Sequence, residues 1–397
     1  MSTHSYSLGG YGPRRRTAWQ RLVARDSAVW RLDWVIVLSG VLLSVIGTML
    51  VFSATRNRSD INNGDPYYFL TRHLLSLVVG VVLMAGTVWL GHRRLRGAAP
   101  VLYGVAILLG LMVLTPLGAT INGQRAWLHL GAGISLQPAE FMKITVILGM
   151  AMLLSSKVDS DEYPSHRTVL KALGLAAAPI VVIMLMPDLG SVMVLGVIVL
   201  GVLMASGASN RWVLGLCLAG AVGAVSVWAF GLLDEYQIDR FAAFANPALD
   251  PSGVGYNTNQ ARIAIGSGGL FGKGLFQGDQ TTGQFVPEQQ TDFVFTVAGE
   301  ELGFLGAGLI ILLLGVLIWR ACKIAREAGD LYSTIVAAGI IAWFAFQSFE
   351  NIGMTLGIMP VAGLPLPFVS YGGTSMFATW IALGLLQSIT TRRPVSA

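Results

Sequence analysis

The chain has 397 residues, 54% of them hydrophobic and only 12% charged, where soluble domains carry about a quarter charged residues. With a mean hydropathy of +0.66, this composition points to an integral membrane protein and excludes a water-soluble globular enzyme. The net charge of +5 is no nucleic-acid footprint, because the basic residues sit in short loops beside apolar runs. Cys217 and Cys322 fall in or beside such runs and suggest neither a disulfide framework nor a metal site.

Residues 1–33 read as a basic tail. Arg14, Arg15, Arg16, Arg21, Arg25 and Arg31 precede an apolar run of full membrane length that lacks a small-residue cleavage pattern, so the tail is not a cleavable signal. A stretch near twenty apolar residues can cross the hydrocarbon core as a helix. Such stretches recur at 34–54, 68–90, 98–116, 138–156, 168–186, 189–207, 212–233, 293–319, 331–359 and 373–390. The expected fold is therefore an all-α polytopic bundle of about ten transmembrane helices over 34–390, closed by a short tail at 391–397.

Lysine and arginine set the orientation. Most of the 26 basic residues fall in the tails and alternate loops, which places both termini in the cytoplasm. The segments 117–137, 187–188, 234–292 and 360–372 then lie outside. The third is a long extracytoplasmic loop between the seventh and eighth spans, far longer than an ordinary connection. It is dense in glycine from Gly253 to Gly283, carries Arg240, Arg262, Lys273 and Glu288, and ends at Asp292 before an apolar helix.

Four constellations carry candidate chemistry. At Asp292, two readings stand: a helix cap made by Thr291 or Asp292, or a functional carboxylate favoured by the helix N-terminus. Gln124-Arg125-Ala126-Trp127 precedes Gln137-Pro138-Ala139-Glu140-Phe141-Met142-Lys143, where Glu140 and Lys143 share one helix face. Trp127 is either an interface-belt residue or part of a site. An intramembrane Glu–Lys pair is either an internal brace or a direct participant. Asp188, after Pro187, reads first as a cap for the sixth span. The last constellation runs from Gln347 through Glu350 and Asn351 into GIMPVAGLPLPFVSYGGTS, a shaped segment tolerated at membrane depth only where protein or water covers it. Arg125, Arg240, Arg262 and Lys273 together suit an anionic, phosphate-bearing substrate. No nucleotide-binding P-loop, zinc-protease motif or nucleophile elbow accompanies them.

In order, NGQRAWLHL, QPAEFMK, MPDLGS, NPALDPSGVGYNTNQARIAIGSGGLFGKG, FVPEQQTDFVFTVAGEELG and NIGMTLGIMPVAGLPLPFVSYGGTS resemble the SEDS family of peptidoglycan glycosyltransferases, the group containing RodA and FtsW. The likeness runs from about Trp34 to Thr390, with AIGSGGLFGKG and FVPEQQTDF closer to RodA, the elongation member. It implies polymerisation of lipid II, a disaccharide-pentapeptide on undecaprenyl diphosphate, beside a class B penicillin-binding protein. It also implies that Asp292 is the family's functional aspartate and Trp127 its functional tryptophan. Arg125, Asp188, Glu140, Lys143, Arg240, Arg262, Lys273 and Glu288 are then the candidate substrate-binding residues. This chain departs from the family text at Arg125-Ala126-Trp127, where many members have an adjacent Arg-Trp pair. It also has Ala139 in place of a serine and Met186 in place of a glutamine.

That chemistry requires one positioned base and cations at a diphosphate. No cofactor is called for beyond a divalent cation (Mg or Mn) accompanying the diphosphate. Membrane lipid is the expected surroundings of both enzyme and substrate. The rival class is a lipid II flippase or other transporter, for which polar groups belong near the midplane between repeated halves. Here they gather at the outer edge, without an internal repeat. A scaffold that only recruits its partner is a third class.

Overall fold

The computed structural model describes residues 28–58, 61–62, 64–121, 124–129, 135–156, 164–231, 244 and 253–391. Both expected tails fall outside these residues, apart from 28–33 and Thr391. The expected ten spans are present as long helices: α1 (Trp34–Thr55), α2 (Tyr68–Leu90), α3 (His92–Val113), α4 (Pro138–Leu154), α5 (His166–Met184), α6 (Leu189–Ala205) and α7 (Asn210–Ala229). After the long loop come α11 (Gly303–Arg326), with a short lead-in described below, α12 (Leu331–Leu356) and α13 (Gly373–Thr391). Six of them are long and apolar enough to cross a membrane by themselves: α1, α2, α3, α5, the run Val294–Arg326 and α12. The fold is a polytopic helical membrane bundle.

The most extensive packing joins α2 to α13, α6 to α12, and α3 to α4. α4 is the central post, since Pro138 to Met150 are almost all buried. The outer faces of α2, α3 and α11 leave large apolar side chains exposed, as lipid-facing helices do. Contacts between helix termini define two ends: the starts of α1 and α3 meet the ends of α11 and α13 at a tail end, and the starts of α4, α6 and α13 meet at a loop end. At the tail end, Asp33 caps α1, accepting from the Ile36 N–H at 3.3 Å. It also pairs with Arg320 of α11, and its main chain exchanges two 2.9 Å hydrogen bonds with the Gln387 amide of α13.

Two expectations change at the loop end. Segment 117–137, placed outside within an all-α expectation, folds into a small antiparallel sheet, β1 (Gly118–Ile121), β2 (Gln124–His129) and β3 (Ser135–Leu136). Alternation explains it: Ala126 and Leu128 point inward while their neighbours stay partly or fully exposed. Asn122-Gly123 between β1 and β2 is a strong hairpin signal in the sequence. The long loop also has structure of its own, with α8 (Val254–Ser267) and the single turn α9 (Asp279–Thr282).

Candidate active site

Helix α12 organises the site through a polar ladder on one side. Gln347 and Asn351, one turn apart, are fully buried. The Gln347 amide donates to the Pro365 carbonyl at 2.7 Å, and the Asn351 amide donates to the Leu364 carbonyl at 2.7 Å. Together they satisfy main-chain acceptors of the unwound 358–372 segment, which a lipid environment could not. Asn351 also donates to the Asp292 carbonyl at 2.8 Å. One amide thus holds the backbone of both segments.

Glu140 and Lys143 of α4 meet this ladder from the other side. Their ion pair is 2.8 Å long, with side-chain exposures of 1% and 0%. Lys143 also donates to Gln347 Oε1 at 3.1 Å and lies 4.6 Å from the Trp343 ring centroid. Trp343 donates to the same Oε1 at 2.6 Å. The internal brace expected as one reading of this pair is what the geometry contains. Its participation in chemistry is a separate matter, because Glu140 Oε2 has no hydrogen-bond partner.

Asp188 is the expected cap. Its Oδ1 accepts from the Ser191 N–H at 3.0 Å and its Oδ2 from the Ser191 hydroxyl at 2.7 Å. Gln137, just before α4, adds a third donor at 3.1 Å. The polar groups therefore run from Asp188 through Gln137 to α4, and from Lys143 through the ladder to the main chain of Asp292.

Around Asp292 the chain is tightly turned. The Glu288 carbonyl accepts from the N–H groups of Thr291, Asp292 and Phe293. The Glu288 carboxylate accepts from the Gln290 amide at 3.2 Å and the Thr291 hydroxyl at 3.1 Å. The helix after this turn does not start at Asp292. A short α10 (Val294–Val297) has Phe293 as its N-cap residue and no side-chain capping bond. The residue at the helix start is therefore Phe293 rather than Thr291 or Asp292, and the Glu288 carbonyl takes up the N–H groups of 291–293. Phe293 packs with Ala261 of α8, Val286 and Val361, which brings the turn, α8 and the 358–372 segment together. Tyr371 joins them, its N–H donating to the Gln290 carbonyl at 2.8 Å. Burial pushes the Tyr371 hydroxyl pKa up.

The candidate cations separate. Arg262 on α8 is exposed and its chain lies beside Gly357, where an added Cβ would come 3.3 Å from its Cδ. Lys273, expected as a cation for substrate, is already engaged, at 2.9 Å from Asp279 and 3.3 Å from Glu300. The hydrogen bond to Asp279, followed by Glu300, raises its pKa above the ordinary lysine value. Arg125 on β2 donates to the Thr115 carbonyl at the end of α3. Trp127 is half-buried in β2, opposite Ala119 of β1. Arg240 lies outside the described residues. Among the described residues no three His, Cys, Asp or Glu side chains converge to hold a metal.

Sequence reasoning missed Glu300 and Glu301. Between α10 and α11 the helix widens into a π-type turn, Ala298–Leu302. Glu300, fully buried, accepts from the Gln280 N–H at 2.8 Å, the Thr281 N–H at 2.9 Å and the Thr281 hydroxyl at 2.8 Å. Glu301 accepts from Ser53 of α1 at 2.6 Å and the Phe276 N–H at 3.0 Å. These two carboxylates dock the glycine-rich loop. Gly272, with φ +80°, lies so close that a Cβ would meet the Glu301 carbonyl at 2.1 Å. The available signal was a pair of acids inside an apolar run.

Taken alone, fold and site define a polytopic helical membrane protein with a carboxylate-bearing turn at one end of the bundle. The FtsW/RodA/SpoVE family model, described as "Cell cycle protein", matches residues 33–394, and the chain belongs to that family. Stage V sporulation protein E of Bacillus subtilis is 38% identical over 362 residues, 90% of this chain and 96% of that protein. Peptidoglycan glycosyltransferase MrdB of Escherichia coli K12 is 34% identical over 381 residues, 96% and 97%. A solved chain described as "Structural coordination of polymerization and crosslinking by a peptidoglycan synthase complex" superposes with a TM-score of 0.74 at 30% identity, covering 92% of this chain and 99% of its own. The identities do not set this chain nearer the RodA branch.

Proposed function

We propose that this protein is a peptidoglycan glycosyltransferase that polymerises lipid II, with Asp292 as the base. The observation that carries the assignment of the base is the Asp292 turn. Its main chain is fixed by Glu288 and Asn351. The loop end faces the cell exterior, because most basic residues fall at the opposite end.

In the reaction, the Asp292 carboxylate takes the proton of the acceptor sugar's O4 hydroxyl as that oxygen bonds to the donor's anomeric carbon. The bond from that carbon to the diphosphate breaks on the opposite face, giving a β-1,4 linkage with inversion. A positioned base of this kind typically contributes about 10²–10⁴-fold. Charge developing on the departing diphosphate needs a cation. Arg262, exposed beside Gly357, is the described residue suited to that task, with Arg240 a further candidate. A divalent cation, where one takes part, arrives with the diphosphate. The polyprenyl tails stay in the bilayer while their head groups meet at the loop end. A class B penicillin-binding protein that crosslinks the new strand is the expected partner, in keeping with the solved synthase complex.

The test is Asp292→Asn, purified and incubated with labelled lipid II. The variant should fold and insert normally yet yield no glycan polymer, because the isosteric amide keeps the turn but cannot accept the proton. Near-normal polymer would remove Asp292 from the role of base.

A further inference from the structure

The glycine-rich loop carries two large apolar side chains where a polar loop has no evident use for them. Leu270 is 54% exposed and Phe271 76%. They sit at the tip of a tight turn closed by the Gly272 N–H donating to the Gly268 carbonyl at 2.8 Å. The turn is fastened to the mouth of α11. The Phe304 N–H donates to the Gly269 carbonyl at 2.9 Å, and the Leu305 N–H to the Leu270 carbonyl at 3.1 Å. These are first-turn donors that α11 cannot satisfy internally, so the loop backbone caps the helix. A side chain at Gly303 would collide with this arrangement, its Cβ falling 2.2 Å from the Gly272 nitrogen.

The depth of that helix mouth follows from the other end of α11. Lys323, 44% exposed, marks the tail-end boundary, and Phe304 stands nineteen residues before it. At 1.5 Å per residue the separation is roughly 28 Å, just within the roughly 30 Å hydrocarbon thickness. Phe304 and Leu305, themselves strongly exposed, continue into exposed Leu309, Ile311 and Leu312 along the lipid-facing side of the helix. Leu270 and Phe271 extend that apolar face past the end of the span. Two residues later the chain returns to polar surroundings, where Lys273 is paired with Asp279 and Glu300.

We propose that Leu270 and Phe271 form a membrane-dipping turn, inserted among the acyl chains of the leaflet at the loop end. The turn anchors the glycine-rich loop to the bilayer, while Glu300 and Glu301 anchor the same loop to the bundle. The height of α8, immediately upstream, is thereby set relative to the lipid surface. The occupant is bilayer lipid, because the patch is continuous with the lipid-facing side of α11.

The full chain, with Cys217→Ser and Cys322→Ser, is reconstituted in phosphatidylcholine–phosphatidylglycerol nanodiscs. It carries a single nitroxide label at Leu270→Cys, Phe271→Cys or, as an exposed reference on the same loop, Thr282→Cys. Collisional relaxation by oxygen should exceed that by a water-soluble nickel chelate at 270 and 271, with the order reversed at 282. As a label-free check, Phe271→Trp should add fluorescence that brominated acyl chains quench. Nickel dominating at 270 and 271, or no added quenching, would place the turn in water and overturn the proposal. Exclusion of both reagents there would place it against protein and overturn it equally.

Discussion

Replacing Lys143 by methionine keeps most of the side-chain volume and removes the charge with its two hydrogen bonds, to Glu140 and Gln347. Glu140 then keeps its place, 1% exposed, with neither oxygen facing a cation and Oε2 already without a hydrogen-bond partner. Breaking a buried pair from one side typically costs about 3–5 kcal/mol, because the remaining charge is uncompensated. The position of Glu140 in the first turn of α4 returns part of that through the helix N-terminus, at most about 2 kcal/mol. A net loss of roughly 1–5 kcal/mol remains, a large share of the stability of a typical protein.

The paired variant, Glu140→Leu with Lys143→Met, removes both charges. Its neighbours are not orphaned: Gln347 Oε1 keeps the Trp343 N–H at 2.6 Å, and the Gln347 amide keeps the Pro365 carbonyl at 2.7 Å. Replacing a whole buried pair by apolar groups is often neutral or stabilising, so the double variant should recover most of what Lys143→Met loses. Thermal unfolding in detergent is measured for both singles, the double, and the exposed control Lys171→Met. Polymerisation of lipid II is followed in parallel. A stable but inactive double would mean that the pair also touches substrate; a stable and active one would mean that it only braces. Additive losses, or a Lys143→Met no worse than Lys171→Met, would refute the brace.

Four further outcomes are expected. Asn351→Leu should leave the Asp292 and Leu364 carbonyls short of a donor, about 1–3 kcal/mol for each buried acceptor, and should lower kcat more than it raises KM; an unchanged kcat would mean that Asn351 does not position Asp292. Arg262→Glu should weaken lipid II use without altering hydrogen exchange in the loop, whereas Lys273→Glu should speed exchange across 273–285; equal behaviour of the two would return Lys273 to the substrate. Because the Lys273 pKa is raised, its ion pairs are intact below the ordinary lysine value and fade only as pH rises through the raised one, so loop protection should not change across the neutral range and should fall in strong alkali. Asp188→Ala should cost about 0.5–2 kcal/mol as a lost cap, read as a lowered Tm, and Asp188→Asn should recover much of it.

The ten helices were legible because each span is written as an uninterrupted apolar run, the strongest local signal a sequence gives. The Glu140–Lys143 pair and the Asp188 cap were legible for a similar reason, since each rests on neighbours within one turn. What the sequence concealed are contacts between distant segments. Nothing local to Asn351 indicates that its amide would hold two carbonyls, 59 and 13 residues away. Lys273 reads as a free cation in a glycine-rich loop, and only the widened turn at Ala298–Leu302 brings Glu300 to it. The sheet at 118–136 was hidden by its shortness, although alternation and Asn122-Gly123 carried the signal.

The glycines of the long loop also change meaning once the two carboxylates are placed. In the sequence they are simply dense from Gly253 to Gly283. In the fold, Gly268, Gly272 and Gly278 are where the loop backbone presses against the Gly299–Glu301 turn, and a Cβ at any of them would fall within 3.0 Å of that turn. At these three positions glycine is required because the loop is docked closely, with main-chain donors reaching Glu300 and Glu301. A loop fixed to the bundle at that turn, followed by a segment held to α12 through Asn351, gives the turn bearing Asp292 two independent supports. Catalysis by a single base rewards this arrangement, since displacement of about 1 Å can cost on the order of 10²-fold in rate.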